Sequence, residues 1–134
     1  MKYVYPAVFT PEDGKILVSI PDLKGCHTFG GGLAEAIEMA QDAAEMLLYH
    51  MEKDGVEPPQ PSTLEAARQT DESPDAFTSF VYADTEEYRR QNDKRAVNKM
   101  VTIPAWLKYQ AEQANAPFSQ ILQQGLKEYL NIAA

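Results

Sequence analysis

The chain has 134 residues, of which 44% are apolar and 24% are charged, and its formal net charge is −8 at pH 7. This size fits one ordinary domain or two small ones, and the apolar fraction is enough to form a core, which excludes a wholly disordered protein. No apolar run approaches the roughly 18–20 residues that span a bilayer, and the N-terminus does not resemble a signal peptide. Cys26 is the only cysteine, so an internal disulfide is excluded and we expect a cytoplasmic protein.

The charge is distributed unevenly along the chain. Residues 1–90 contain 7 Lys and Arg against 17 Asp and Glu, a net charge of −10, whereas residues 91–134 contain 5 against 3, a net charge of +2. An acidic segment suits a basic protein better than it suits nucleic acid, while a mildly basic one can contact phosphates. The sequence therefore predicts that the two parts of the chain bind different partners.

Residues 1–90 have the pattern of an α+β domain. Two β-rich runs, at 3–9 and 15–20, flank a Pro/Asp/Gly turn and predict a hairpin, in which Pro6 requires an edge strand or a bulge. Apolar residues recur every three or four positions between 33 and 51 and predict a long helix with an acidic outer side. The other predicted elements are a third strand at 27–29, a helical turn at 63–68, a fourth strand at 76–83 and a polar hinge at 84–94. The predicted order is βββα, a loop, then β.

Residues 95–134 have a different order of elements. An alternating run at 97–103 predicts a strand, and predicted helices follow at 104–114 and 119–130, the second of them capped by Ser119. A lone strand cannot satisfy its own backbone groups, and about forty residues make a poor core. Both problems disappear if two copies pair their strands antiparallel and interleave their helices. The predicted dimerisation core consists of Val97, Val101, Ile103, Leu107, Ile121, Leu122 and Leu126.

A pair of such strands would present Asn98, Met100 and Thr102 on its outer side. A two-stranded ribbon fits the major groove of DNA, where Asn and Thr can contact base edges, and a helix N-terminus near Ser119 can bind a phosphate. The alternative is a ribbon that is merely exposed to solvent in a dimerisation module. The predicted DNA-binding residues are Lys94, Arg95, Asn98, Lys99, Met100, Thr102 and Ser119.

Two segments resemble known families. Residues 97–130, VNKMVTIPAWLKYQAEQANAPFSQILQQGLKEYL, resemble a ribbon-helix-helix repressor domain, and residues 5–55, from YPAVFTPEDG through IPDLKGC to HMEKDG, resemble the HicB antitoxins. The resemblance implies a partial ribonuclease-H-like domain at 1–90 that binds a HicA-type toxin, a small basic ribonuclease that cuts mRNA. It also implies a ribbon-helix-helix domain at 95–134 that forms a homodimer or a tetramer and represses its own operon by binding operator DNA.

Two other functions are compatible with the residues. The chain could be a stand-alone ribbon-helix-helix regulator whose N-terminal domain senses a small molecule, and co-purification with a small basic protein would distinguish it from an antitoxin. It could also be an enzyme with residual nuclease activity, which a metal-dependent RNA cleavage assay would detect.

The residues give weak support to catalysis. Cys26 lacks a base and an orienting group, and together with His27 and His50 it offers too few ligands for zinc. The glycines at 30–32 lack the Lys-Ser/Thr of a phosphate-binding loop and fit a strand-to-helix turn better. We therefore expect no enzymatic activity, no catalytic residue, no metal site and no cofactor.

Overall fold

The computed structural model of the protein describes residues 1–132 and divides into two compact units, with the boundary between Lys94 and Arg95. The first unit contains, in chain order, β1 (Lys2–Glu12), β2 (Lys15–Ser19), β3 (His27–Gly30), α1 (Leu33–Lys53), α2 (Leu64–Arg68), β4 (Phe77–Asp84) and α3 (Thr85–Asn92). The second unit contains α4 (Ala105–Gln113) and α5 (Phe118–Tyr129). No helix in the described part of the chain is both long enough and apolar enough to cross a membrane.

The four strands form one sheet in the order β3-β2-β1-β4, in which all neighbours are antiparallel. The predicted hairpin is confirmed as β1 and β2. Its turn residues, Asp13 and Gly14, have φ of 49° and 79°. Positive φ at both residues is what a two-residue turn needs if its twist is to match that of the hairpin strands.

β1 is a central strand of the sheet, but its pairing with β2 covers only Val8–Glu12, so the β2 side of β1 is open at Pro6, as at an edge strand. Thr85 N–H donates to the carbonyl of Met1, the residue opposite it, which places the hydrogen-bonded pairs between β1 and β4 at odd positions. The N–H that Pro6 lacks would therefore point toward the β2 side of β1. Pairing with β2 begins only at Val8, so no hydrogen bond of the sheet is lost.

One face of the sheet packs against α1. The helix contributes Ala36, Ala40, Ala44 and Leu48, which recur every four residues and are all buried. The sheet contributes mainly the odd-numbered residues of β1, with Val18, Val81 and Ala83 from its neighbours. On the opposite face, α2 covers a smaller cluster of Val8, Ala67 and Ala76. Small helix residues allow α1 to lie close to the strands.

The predicted hinge at 84–94 is wrong for most of its length, because residues 85–92 form α3. The carboxylate of Asp84 caps the helix by accepting a hydrogen bond from Glu86 N–H at 3.1 Å. The ring of Tyr88 then packs on that of Tyr49 of α1, with 5.1 Å between ring centroids. The capping residue and this aromatic contact stabilise a helix whose polar sequence suggests a linker.

Residues 93–104, which cross the boundary between the units, contain neither helix nor strand. The strand predicted at 97–103 is not formed in the single chain, where it has no partner strand to bond to. The two predicted helices are present, and Asn115, with φ of 53°, ends the first. Helix α5 begins at Phe118 after Pro117, and Ser119 lies inside its first turn without a side-chain cap hydrogen bond. The predicted capping role of Ser119 is therefore wrong.

Candidate functional site

The second unit exposes nearly all of its apolar side chains. No residue described between 95 and 132 is buried, and Val97 and Met100 are 85% and 94% exposed. Soluble monomers rarely leave large continuous apolar surfaces uncovered. The exposed set also includes Val101, Ile103, Trp106, Leu107, Tyr109, Phe118, Ile121, Leu122, Leu126, Tyr129 and Leu130.

An apolar groove of about 430 Å³ runs between the 99–103 segment and the two helices of this unit. It brings together most of the predicted dimerisation core, whereas Val97 and Leu126 do not line it. Lys99 and Ser119, predicted as DNA contacts, lie on the wall of this groove. The predicted core residues that line it are Val101, Ile103, Leu107, Ile121 and Leu122.

The remaining predicted DNA-binding residues lie on the exposed segment between the last helix of the first unit and α4. Asn98, Met100 and Thr102 are all exposed, and they alternate with Lys99 and Val101 of the groove. This alternation matches the two faces of a strand, although the backbone carries no strand in the single chain. Lys94 and Arg95 precede this segment at the boundary between the units.

A groove of about 510 Å³ opens between α1 and α3 in the first unit. Its walls combine carboxylates with flexible apolar side chains, which adapt readily to a partner surface. Met39 and Met46 of α1 are exposed beside it. The residues that line it are Thr28, Met39, Asp42, Ala43, Glu45, Met46, Tyr88, Gln91 and Asn92.

Glu45 is the functional candidate that sequence reasoning missed. The acidic outer side that the sequence predicts for α1 includes Glu45, but only 6% of this residue's surface is exposed. Burial raises the pKa of this carboxyl, the hydrogen bond from Asp84 N–H lowers the pKa, and the nearby charges of Asp42, Asp84 and Glu87 raise it, for a net upward shift. That hydrogen bond reaches Oε2 at 2.8 Å. No sequence signal identified α3, and α3 adds the acidic neighbours of Glu45.

A partly buried polar cluster joins the N-terminus, α1 and the start of α3. Tyr3 O–H donates to Glu52 Oε2 at 2.6 Å, and Thr85 O–H lies 2.9 Å from Glu52 Oε1. Burial, followed by the hydrogen bond to Glu52 and the Glu52 charge, raises the pKa of Tyr3 to about 12. The Met1 ammonium donates to Thr85 Oγ1 at 2.8 Å. These contacts fix β1 to both helices, which is a structural role.

The described residues give no support to a nucleophile or a metal centre. Cys26 is 5% exposed, and burial raises the pKa of its thiol, which keeps it protonated. Across residues 1–132, no three His, Cys, Asp or Glu side chains lie close enough to hold a metal ion. Gly30 lies where β3 passes so close to α1 that a side chain would not fit, which is a packing role rather than a phosphate-binding one.

Comparison with known proteins places these features in a family. The sequence profile described as "HicB_like antitoxin of bacterial toxin-antitoxin system" matches residues 5–125. An uncharacterised 14.9 kDa protein from the rep-hol intergenic region of Haemophilus phage HP1 is 27% identical over 110 residues, which cover 82% of this chain and 80% of that protein.

Two solved structures are similar over nearly the whole chain. A chain of a toxin-antitoxin complex from Streptococcus pneumoniae aligns with a TM-score of 0.59 and 25% identity, covering 96% of this chain and 99% of that one. The antitoxin HicB of Burkholderia pseudomallei aligns with a TM-score of 0.53 and 22% identity, covering 98% of each chain, and supports the fold. The chain belongs to the HicB-like antitoxin family of bacterial toxin-antitoxin systems.

Proposed function

We propose that the protein neutralises a HicA-type ribonuclease toxin with its first unit and represses its own operon by binding promoter DNA with its second. In this proposal, the first unit is a partial ribonuclease-H-like fold that acts by binding and carries no catalytic activity. The second unit is one half of a ribbon-helix-helix dimer. Membership of the antitoxin family supports the first role, and the surfaces of the two units support the division between them.

The observation that carries the proposal is the absence of any buried residue among those described from 95 to 132. Two helices of nine and twelve residues with an uncovered apolar side cannot form a core alone. A second copy would cover both helices and would supply the strand that pairs with 97–103. Because the groove between this segment and the helices is already lined by apolar residues, pairing would extend an existing apolar surface.

Pairing of the two segments would place Asn98, Met100 and Thr102 of both copies on one face. Asn and Thr side chains can bond to base edges in the major groove, while Met100 adds an apolar contact. Lys94, Arg95 and Lys99 would contact phosphates, which position the protein without reading sequence. The backbone N–H groups in the first turn of α5, near Ser119, would offer a further phosphate site.

The first unit has the charge that a basic toxin requires. Residues 1–94 contain 8 Lys and Arg against 18 Asp and Glu, a net charge of −10. The groove between α1 and α3 combines Asp42 and Glu45 with Met39 and Met46, so it offers both charge and apolar area to a cationic surface. Opposite charge accelerates association and makes it sensitive to salt.

The proposal is tested with the full chain, its own promoter duplex and the small basic protein encoded beside it. We expect the chain to shift the duplex in an electrophoretic assay, to co-purify with that protein and to stop its RNA cleavage. Promoter binding without co-purification would contradict the antitoxin role and favour a stand-alone regulator. Co-purification without promoter binding would contradict the repressor role.

A further inference from the structure

Glu45 is a buried carboxylate with one oxygen that has no partner. Its Oε2 accepts the hydrogen bond from Asp84 N–H at 2.8 Å, and the described residues provide no second hydrogen bond to this side chain. In the same part of the chain, every side-chain nitrogen or oxygen that is closed off from solvent has a hydrogen-bond partner. Glu45 Oε1 lacks one, so it must be open to solvent, and the opening that Glu45 lines is the groove between α1 and α3.

The charges around this carboxylate are negative. Burial raises the pKa of Glu45, the hydrogen bond from Asp84 lowers it, and the charges of Asp42, Asp84 and Glu87 raise it again. Glu87 has a cation of its own in Arg90, at 3.3 Å in a solvent-exposed pair. None of the first-unit residues that line the groove is Lys, Arg or His. A buried carboxylate is costly in its charged form unless a cation lies beside it, so the groove favours a positively charged ligand.

The size and lining of the groove exclude a metal ion and favour an organic cation. No three His, Cys, Asp or Glu side chains in residues 1–132 lie close enough to hold a metal. The volume of about 510 Å³ is in the range of small-molecule sites, about 300–1,000 Å³. Met39, Ala43 and Met46 line it along about 10 Å of α1.

An aromatic wall completes the groove on the α3 side. The ring of Tyr88 lines the groove, and its contact with Tyr49 holds it in place. The face of an aromatic ring attracts an ammonium group. The methionine side chains opposite adapt readily to an aliphatic chain. Carboxylates, an aromatic ring and apolar side chains together suit a cation that carries an aliphatic stem.

We propose that the groove between α1 and α3 is a binding site for a linear aliphatic polyamine. One ammonium group donates to Glu45 Oε1, a second lies beside Asp42, and the methylene chain packs on the apolar side chains of α1. Residues three apart on a helix have Cβ atoms about 5–6 Å apart, a span that three or four methylenes cover. A polyamine fits better than a single basic side chain does, because its several ammonium groups neutralise Asp42 and Glu45 together.

A polyamine in this groove would compete with the toxin. The site itself stands on the groove alone, whereas this competition rests on the proposed function, in which the same groove meets a cationic surface of the toxin. A bound polyamine would occupy the carboxylates that attract that surface. The concentration of free polyamine would then regulate how much toxin the protein holds.

Glu45 also connects the groove to the start of α3. Its Oε2 accepts from Asp84 N–H, and the carboxylate of Asp84 in turn accepts from Glu86 N–H at 3.1 Å. A cation on Oε1 holds the Glu45 carboxylate in its charged form, which accepts a stronger hydrogen bond than the neutral form does. Binding should therefore shift the NMR signal of the Asp84 amide, which reports on this site alone.

The test is a titration of the full chain with spermidine at fixed ionic strength, followed by calorimetry and by the Asp84 amide signal. We expect saturable binding of one spermidine per chain and a matching shift of this signal. Glu45→Gln should weaken binding by at least about tenfold, because an amide cannot replace the charged partner of an ammonium group. Glu65→Gln is the matched control, since it removes the same charge from an exposed position on α2, on the other face of the sheet. It should change the affinity by less than about twofold.

A second variant keeps the test decisive if Glu45→Gln alters folding. Asp42 is exposed on the wall of the groove, so Asp42→Asn should leave the thermal melt unchanged and still weaken spermidine binding. Magnesium chloride at the same ionic strength is the competitor that detects diffuse attraction to an acidic protein. It should not displace spermidine, because the groove has no set of ligands for a metal ion.

Equal spermidine affinity in wild type, Glu45→Gln and Glu65→Gln would overturn the site, and so would displacement by magnesium or heat of binding without a shift of the Asp84 amide. Toxin binding that depends on Glu45, in a chain that does not bind spermidine, would assign the groove to the toxin alone and would also overturn it. Spermidine binding that depends on Glu45 but leaves the toxin complex intact would support the site and contradict the placement of the toxin in this groove.

Discussion

Gly30→Ala should destabilise the first unit far more than the neighbouring change Gly31→Ala. A Cβ at Gly30 would lie 2.4 Å from Ala36 N, 2.7 Å from Ala36 Cα and 2.7 Å from the Glu35 carbonyl carbon. All three are backbone atoms of α1, so no side-chain rotation can relieve the overlap. At Gly31 the nearest atom to a Cβ would be Glu35 Oε2 at 3.6 Å, an ordinary contact.

The overlap at Gly30 must be relieved by moving β3 or α1. Gly30 pairs with Ile16 in the sheet, so moving β3 strains the ladder, while moving α1 opens the core beneath Ala36. Overpacking costs about 1–3 kcal/mol and sometimes more, and a backbone obstacle places this case near the upper end, at about 3 kcal/mol. For a unit of this size the melting temperature should fall by about 12–24 °C.

Urea unfolding followed by circular dichroism measures this difference. We expect a lower midpoint for Gly30→Ala at an unchanged slope, and a shift below about 0.5 kcal/mol for Gly31→Ala. Equal midpoints for the two variants would refute the close approach of β3 and α1.

Three further predictions test other parts of the molecule. Glu45→Gln should raise stability near neutral pH but not in acid. The folded pKa of Glu45 lies above the ordinary value of a glutamate, so the stability that its protonation contributes is complete below that ordinary value and is lost as pH rises through the folded pKa. In thermal melts from acid to neutral pH, the melting temperatures of wild type and Glu45→Gln should converge in acid, and Glu38→Gln at an exposed position is the control. A difference in melting temperature that stays constant with pH would contradict this. Asn98→Ala with Thr102→Ala should reduce discrimination between promoter and random duplexes by about 1–3 kcal/mol per lost contact. Arg95→Ala should instead weaken binding to both duplexes and flatten its salt dependence. An undiminished preference of the double variant for the promoter would show that residues 98–102 do not recognise the bases. Leu126→Glu should abolish association through the second unit and promoter binding together, while Gln123→Glu on the same helix should not, and tight promoter binding by the Leu126 variant would argue against a shared core.

The sequence predicts elements whose signals are local. The β1–β2 hairpin follows from its turn residues, and α1 follows from apolar residues at helical spacing. The same local signals fail where neighbours in space decide the structure. Helix α3 has a mean composition typical of a linker and is stabilised by the Asp84 cap and the contact between Tyr88 and Tyr49.

The candidate sites show the same limit. The alternation of residues 97–103 predicts a strand, but no strand forms there in the single chain, and the pairing that we propose for it needs a second copy. The buried position of Glu45 and the close approach at Gly30 depend on how α1 packs against α3 and β3, which no periodicity encodes.

The boundary between the units also changes how the chain should be divided for experiments. A fragment ending at Arg90 would remove the last residues of α3, whereas one ending at Lys94 retains the whole helix. Residues 1–94 contain the sheet, the core and the acidic groove. Residues 95–134 contain the candidate DNA-reading segment and include both α4 and α5.

Co-expression of residues 1–94 with the toxin measures whether toxin neutralisation and promoter binding belong to separate units, as we propose. We expect this fragment to rescue cells from growth arrest as the full chain does, yet to leave the promoter duplex unshifted. Rescue that required residues 95–134 would show that assembly through the second unit is part of neutralisation, and would contradict the proposed division.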